Sequence, residues 1–276
     1  MPVNNSALII GQPDSGKTTY LAQFLTRVIR KKSRVTLSKM PENIKAISDA
    51  QKRLASGEEP IPTNADENVE LHIPVIIKDK QVDINCPDYG GEQVSAHIDS
   101  MEVDTKWENI TQNSNHWLLF IRAGKIVQEY DLSVSSYEEV EIDGSNKKTA
   151  IGLSEQSKLI ELLQFLLYVK KVGVKQNISS PKLTVVITCW DELNTKSSPI
   201  EVLAEKLPLL NNFIDTIWDH KCFGVYGVAA QEFPLKSQDA KDKYKDECPE
   251  NFGYMVTPEG VKDKDLTKLI EKALYL

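Results

Sequence analysis

The chain has 276 residues, of which 41% are hydrophobic and 26% charged, a composition typical of a globular protein of one large domain or two small ones. Its net charge of −7 argues against general binding to a nucleic-acid backbone, and no apolar run approaches the ~20 residues of a membrane span. Four cysteines without C-x-x-C spacing indicate reduced thiols, and with no signal peptide recognisable we expect a cytoplasmic protein.

The first predicted strand is the short apolar run from Ser6 to Ile10, of the kind found in buried parallel strands. It is followed by Gly11-Gln-Pro-Asp-Ser-Gly16-Lys17-Thr18, which matches the phosphate-binding pattern G-x-x-x-x-G-K-[ST]. Apolar residues at helical spacing after Lys17 predict the helix that such a loop requires, because free N–H groups at a helix N-terminus bind anions. A nucleotide phosphate is therefore expected at this loop.

Residue types within this loop predict separate roles. Lys17 would reach the β- and γ-phosphates and also serve in catalysis, and the Thr18 hydroxyl would bind Mg²⁺. The other nucleotide-binding residues predicted here are Gly11, Asp14, Ser15, Gly16 and Thr19.

The next segment contains a helix and a hairpin. Apolar spacing predicts a helix from Glu42 to Ala55, which a Gly-Pro-rich stretch ends before Thr63. Two strand-like runs, Val69 to Ile77 and Gln81 to Cys86, are separated by Lys78-Asp79-Lys80 and predict an antiparallel hairpin.

The hairpin is followed by Asp88-Tyr-Gly-Gly91, which fits the D-x-x-G element of GTPases. Asp88 would hold Mg²⁺ through water, and the Gly91 N–H would sense a γ-phosphate. Thr63, which precedes the hairpin, would close on Mg²⁺ and the γ-phosphate; the alternative is an ordinary loop threonine.

Three further elements follow in the middle of the chain. His116 to Arg122 predicts a central strand, and Ser154 to Val172 predicts a long helix. Between them, the charged segment 128–149 is too polar for a core, so we expect an inserted hairpin or loop that serves as a docking surface.

The buried strand Leu183 to Ile187 ends in Thr188-Cys-Trp-Asp191, at the position of the base-reading [NT]-K-x-D element. The Asp191 carboxylate can accept hydrogen bonds from both N1–H and N2–H of guanine, which adenine cannot supply. The alternative is an aspartate that caps the next helix. After the last predicted strand, which starts at Phe223, the Ala230 N–H would contact the guanine carbonyl, and Leu266 to Leu274 predicts a closing helix.

In this order, the motifs resemble those of translation-factor-related (TRAFAC) P-loop GTPases, and more narrowly of prokaryotic double-GTPase type domains. The resemblance implies an α/β fold with a mostly parallel central sheet, one antiparallel hairpin strand and helices on both faces. It implies a single GTPase domain over residues 1–276, with insertions at about 36–62 and 126–153. It also implies a switch that binds GTP or GDP with Mg²⁺ and acts in conflict or antiphage systems.

Two departures from the family pattern affect the expected activity. Cys189 replaces the usual lysine, whose stem packs over the base, and Glu92 stands where many GTPases have a glutamine that orients water. A carboxylate near the γ-phosphate orients water poorly, so we expect slow hydrolysis, helped by Gln93, a protein partner or a second GTPase protomer. A P-loop ATPase or kinase, and an interaction module that holds nucleotide without turnover, stay open as alternatives.

Overall fold

A computed structural model describes residues 5–61, 70–87, 100, 102–126 and 154–276 of the chain. Five predicted site residues lie outside the described ranges: Thr63, Asp88, Gly91, Glu92 and Gln93. The charged segment 128–149 lies outside them as well.

The described strands form one nine-stranded sheet in the order β2-β3-β4-β1-β5-β6-β7-β8-β9. The five strands from β4 to β7 along this order are mutually parallel, and the pairs towards both edges are antiparallel. The strand bounds are β1 (Ser6–Ile10), β2 (Thr36–Leu37), β3 (Leu71–Ile77), β4 (Lys80–Cys86), β5 (His116–Ile121), β6 (Lys182–Thr188), β7 (Phe223–Ala229), β8 (Tyr254–Val256) and β9 (Lys262–Asp263).

Eight α-helices lie in the described ranges, and none of them is long and apolar enough to cross a membrane. Their bounds are α1 (Lys17–Ile29), α2 (Lys45–Ala55), α3 (Thr105–Asn113), α4 (Glu155–Val169), α5 (Pro199–Lys206), α6 (Pro208–Ile217), α7 (Gln238–Glu247) and α8 (Lys268–Leu274).

The sheet separates two hydrophobic cores. Alternate β1 residues point to opposite faces, so that Ile9 joins the core beneath α1, α2 and α8, whereas Leu8 joins the core beneath α4, α5 and α6. Each face of the sheet is thus covered by helices, as parallel strands require. The predicted fold class and the antiparallel β3–β4 hairpin are confirmed, and the sheet also has short edge strands that the sequence analysis did not include.

The strand order determines where a ligand would bind. β1, β5, β6 and β7 are parallel neighbours, so the loops at their carboxyl ends meet at one edge of the sheet. Those loops begin at Gly11, Arg122, Cys189 and Ala230. They carry the phosphate loop and both of the predicted base-reading elements.

Candidate functional site

The phosphate loop joins β1 to α1 through tightly packed glycines. A Cβ atom on Gly11 would lie 2.6 Å from the carbonyl oxygen of Phe120 and 2.8 Å from Ser15 Oγ, so no side chain fits there. Gly16 has a left-handed backbone (φ 80°) and begins α1 without a side chain to cap it. The N–H groups of the first helical turn therefore keep the geometry of an anion site.

The Lys17 side chain is folded onto this loop. It is only 2% exposed, and its ammonium donates hydrogen bonds to the carbonyl oxygens of Gly11 at 2.6 Å and Gln12 at 2.9 Å. Ser15 Oγ, also buried, lies 3.2 Å from the same nitrogen. A buried cation surrounded by loop oxygens fits a polyphosphate, whose oxygens are acceptors of the same kind. The half-buried Thr18 hydroxyl supplies an oxygen of the type that Mg²⁺ prefers.

One cavity brings the predicted motifs together at the carboxyl edge of the sheet. Residues from the phosphate loop, the Thr188–Asp191 segment and the end of β7 line it, although up to 216 positions separate them in sequence from Asp14 to Ala230. The predicted residues that line this cavity are Asp14, Gly16, Thr19, Thr188, Asp191 and Ala230.

The turn that carries Asp191 is held in place by Thr188 and Trp190. Thr188 Oγ1 donates to the carbonyl oxygen of Ile121 at 3.1 Å. Trp190 is 5% exposed and packs on β7 at Gly227, where a Cβ atom would lie 2.4 Å from the indole Cε3. Asp191 itself stays half-buried and lines the cavity.

The helix-capping alternative for Asp191 is wrong. The residue lies in a 3₁₀ turn, Trp190–Leu193, and the next α-helix begins eight positions after Asp191, at Pro199. That helix, α5, is capped by Ser198, which forms a capping box with Glu201. The Asp191 carboxylate is therefore not used to start α5.

Burial raises the pKa values of two acidic side chains in the turn that carries Asp191. Burial raises the pKa of Asp191, an effect that Glu192 and Glu232 reinforce and that the guanidinium of Arg122 opposes. Burial also raises the pKa of the Cys189 thiol to about 12, so that it is uncharged at neutral pH.

Arg122 connects the two halves of the site, which the sequence analysis did not foresee. Its Nε donates to Glu192 Oε2 at 3.0 Å, and its Nη1 donates to Asp14 Oδ2 at 3.3 Å. Lys125 also pairs with Asp14. The acidic side chain in the phosphate loop is thus neutralised by two cations, and the only signal in the sequence was a basic residue at the end of a predicted strand.

The loop after β7 also lines the cavity. Phe233, Pro234 and Lys236 line it together with Glu59 and Pro60, which follow α2. The two segments are joined by a hydrogen bond of 3.1 Å from the Leu235 N–H to Glu59 Oε1. The sequence analysis assigned no role to any of these residues, because their positions match no motif.

The solved structures that resemble this chain at low similarity include a GTPase-like domain and a Roco protein. The GTPase-like domain of S. cerevisiae Ski7 bound to GTP is 16% identical, with 82% of this chain and 42% of that chain covered and a TM-score of 0.44. The same domain bound to GDP and inorganic phosphate gives 15% identity, coverages of 82% and 43%, and a TM-score of 0.43. RocCORdC of Methanosarcina barkeri Roco2 bound to GDP is 13% identical, with 89% of this chain and 49% of that chain covered and a TM-score of 0.33.

The chain therefore spans less than half the length of each of these structures. The comparison with curated proteins found no match to it. The family described as Double-GTPase 1 matches residues 8–273, which is nearly the whole length. This match confirms the resemblance drawn from the motifs: the chain belongs to the Double-GTPase 1 family.

Proposed function

We propose that this protein binds GTP, hydrolyses it to GDP and acts as a nucleotide-dependent switch, with residues 1–276 forming a single GTPase domain. The observation that carries the proposal is that residues of the phosphate loop, Asp191 and Ala230 line one and the same cavity. A nucleotide laid along this cavity would place its phosphates at Gly16 and its base at Asp191. Membership in the Double-GTPase 1 family supports the same ligand.

On the phosphate side, the chain contributes amides and one buried cation. In the proposed complex, the Lys17 ammonium exchanges loop carbonyls for oxygens of the β- and γ-phosphates, and stabilises the charge that develops during transfer. Thr18 would hold Mg²⁺ together with Thr63 and Asp88, and the bound ion would neutralise charge on the β- and γ-phosphates.

On the base side, Asp191 accepts the two guanine N–H groups, and the Ala230 N–H donates to the guanine carbonyl. Asp191 must be ionised for this role, and Arg122 favours that form. Hydrolysis needs a water oriented by Gln93, by Glu92, by a protein partner or by a second protomer. Loss of the γ-phosphate would release Thr63 and Gly91 and change partner affinity.

The phosphate half of the proposal is tested by Lys17→Met, which keeps the volume of the buried stem and removes its charge. We expect GTP and GDP affinity to fall about 100-fold, because two charge-assisted hydrogen bonds are lost. Isothermal titration with Mg²⁺ measures the affinities, and thermal unfolding checks the fold. Lys31→Met, at an exposed position just after α1, is the control. Unchanged nucleotide affinity in Lys17→Met would refute the assignment.

The base half is tested by Asp191→Asn. We expect weaker binding of GTP and a gain for xanthosine triphosphate, whose C2 carbonyl requires a donor instead of an acceptor. Competition between GTP, XTP and ATP measures the change in selectivity. If Asp191→Asn leaves the preference for GTP intact, the base is read elsewhere; a wild-type preference for ATP would favour the ATPase or kinase alternative.

Turnover separates a switch from a module that only holds nucleotide. The nucleotide that copurifies is identified, and the release of phosphate from GTP is then followed with Mg²⁺. Slow release that Lys17→Met abolishes supports hydrolysis. GTP that stays intact after prolonged incubation, with the natural partner present, would support a module without turnover.

The proposed setting is a cytoplasmic conflict or antiphage system, for which the four free cysteines suit a reducing compartment. If this setting is right, phage plating efficiency should rise in cells that carry Lys17→Met in place of the wild-type protein. Equal plating on both strains would count against the antiphage role and leave the nucleotide chemistry untouched.

A further inference from the structure

The base-reading turn lacks the long side chain that would cover a purine ring. Cys189 occupies that position, and its thiol is short, half-buried and uncharged at neutral pH because burial raises its pKa to about 12. The carboxylate of Asp191 can recognise the edge of the base, but an edge contact leaves the ring faces uncovered. Another part of the cavity must supply that surface if a purine binds there.

The loop after β7 supplies suitable side chains. Phe233 and Lys236 line the same cavity as Asp191 and Ala230. Within the ranges that the structure describes, Lys236 is exposed and takes part in no ion pair or hydrogen bond, whereas Arg122, the other cation that lines the cavity, is paired with Asp14 and Glu192. An aromatic ring and a lysine stem are both surfaces that pack well on a π-system.

This loop is also held in place from several directions. The Phe233 ring packs edge-on against Tyr244 at 5.9 Å and against Phe252 at 5.3 Å between centroids. Gln231 Nε2 donates to the Phe233 carbonyl oxygen at 3.1 Å, and Glu232 Oε2 accepts the Gly253 N–H at 2.8 Å. A loop fixed in this way loses little entropy when a ligand binds against it.

We propose that Phe233 and Lys236 cover the face of the bound purine and take over the role of the lysine that Cys189 replaces. The inference rests on the proposed function and adds two binding residues to it. A contact to the ring face recognises any purine, so these residues set affinity for the base, while discrimination between guanine and xanthine stays with Asp191.

The inference is tested by comparing GDP with inorganic pyrophosphate, which has the phosphates and lacks the base. We expect Lys236→Ser to weaken GDP binding about fivefold and to leave pyrophosphate binding unchanged. The ratio of GDP to XDP affinity should also stay constant, because the edge of the base is still read by Asp191. Lys245→Ser, on the exposed side of α7, is the matched control.

Two more variants divide the contribution of each group. Lys236→Met keeps the aliphatic stem and removes the charge. If this variant binds GDP as tightly as the wild type, the lysine acts through packing of its stem. If it binds GDP more weakly and pyrophosphate equally well, the lysine acts through its positive charge over the ring. Phe233→Leu keeps an apolar group in the aromatic cluster, and is expected to weaken GDP about threefold with pyrophosphate unchanged.

The inference is overturned if GDP affinity in Lys236→Ser stays within twofold of wild type, or if GDP and pyrophosphate affinities fall by equal factors. These results are distinguishable from failure of the proposed function. If the wild-type protein binds GDP with a selectivity that depends on Asp191, and Lys236→Ser leaves GDP affinity unchanged, only the covering role is refuted. A wild-type protein that binds no guanine nucleotide refutes both.

Discussion

The two ends of the cavity are built on different principles. At the proposed phosphate end, the residues predicted to contact phosphate come from one continuous segment, and Lys17 is 2% exposed and held by backbone carbonyls. At the base end, the wall combines side chains from three loops, including half-buried Asp191 and exposed Lys236. A backbone cradle tolerates almost no change in its glycines, whereas a wall of side chains can exchange one residue for another, as Cys189 illustrates.

The sharpest test of this contrast is Gly11→Ala. The added methyl group would meet the Phe120 carbonyl oxygen at 2.6 Å, which shifts the loop and lowers the free energy of unfolding by about 1–3 kcal/mol. We expect GDP and pyrophosphate affinity to fall together, by about 100-fold, because several N–H contacts to phosphate move at once. Isothermal titration of both ligands measures the losses.

Gly124→Ala is the control for this experiment, since its added methyl group would meet only side-chain atoms at 3.6 Å. A Gly11→Ala protein that loses GDP affinity but keeps pyrophosphate affinity would contradict the division between the two ends.

A smaller effect is expected from Gly227→Ala at the base end. The methyl group would lie 2.4 Å from Cε3 of Trp190 and push the base-reading turn away from β7. We expect about tenfold weaker GDP binding, unchanged pyrophosphate binding and a loss of about 1–3 kcal/mol in the free energy of unfolding. The measurements are the two titrations and denaturant unfolding.

Gly224→Ala on the same strand is the matched variant, because its nearest neighbour at 2.9 Å is the end of the flexible Leu276 side chain. If Gly227→Ala and Gly224→Ala bind GDP equally well, the indole does not position the turn.

The smallest effect concerns Arg122, which joins the two ends. Burial raises the pKa of Asp191, and binding requires its ionised form, so GDP affinity should fall on acidification at a higher pH than an ordinary aspartate predicts. Arg122→Met removes the opposing positive charge, raises this pKa further and moves the loss to still higher pH. At pH 7.5 we expect a loss of only about twofold, as is usual for a partly exposed ion pair.

Titrations of GDP between pH 4.5 and 8 would measure this shift, with Arg34→Met at an exposed position as the control. Identical pH profiles for the wild type and Arg122→Met would show that the guanidinium does not control the charge of Asp191.

The same contrast explains how far the sequence predicts this molecule. The phosphate end follows from a contiguous motif: β1 was predicted with its observed bounds, and the helix after Lys17 was confirmed. The central strands β5, β6 and β7 are short apolar runs, which a buried parallel strand requires. The binding and metal roles of the individual site residues stay predictions.

The base end was only partly foreseeable, for physical reasons. Arg122, Glu59 and Phe233 reach the cavity only through tertiary packing, so no spacing in the chain connects them. Likewise, α7 buries a single side chain, that of Tyr244, and therefore shows no apolar periodicity. The strands β8 and β9 have three and two residues, too few for a pattern to form.

The position of Trp190 makes its fluorescence a candidate reporter of ligand binding. Its indole packs on β7 at Gly227, in the same turn as Asp191, and is shielded from water. Emission from this ring should respond when a ligand settles against the neighbouring carboxylate, and stay silent to ligands that stop at the amides of α1. If Asp191 reads the base as proposed, Trp190 fluorescence would distinguish a full nucleotide from pyrophosphate.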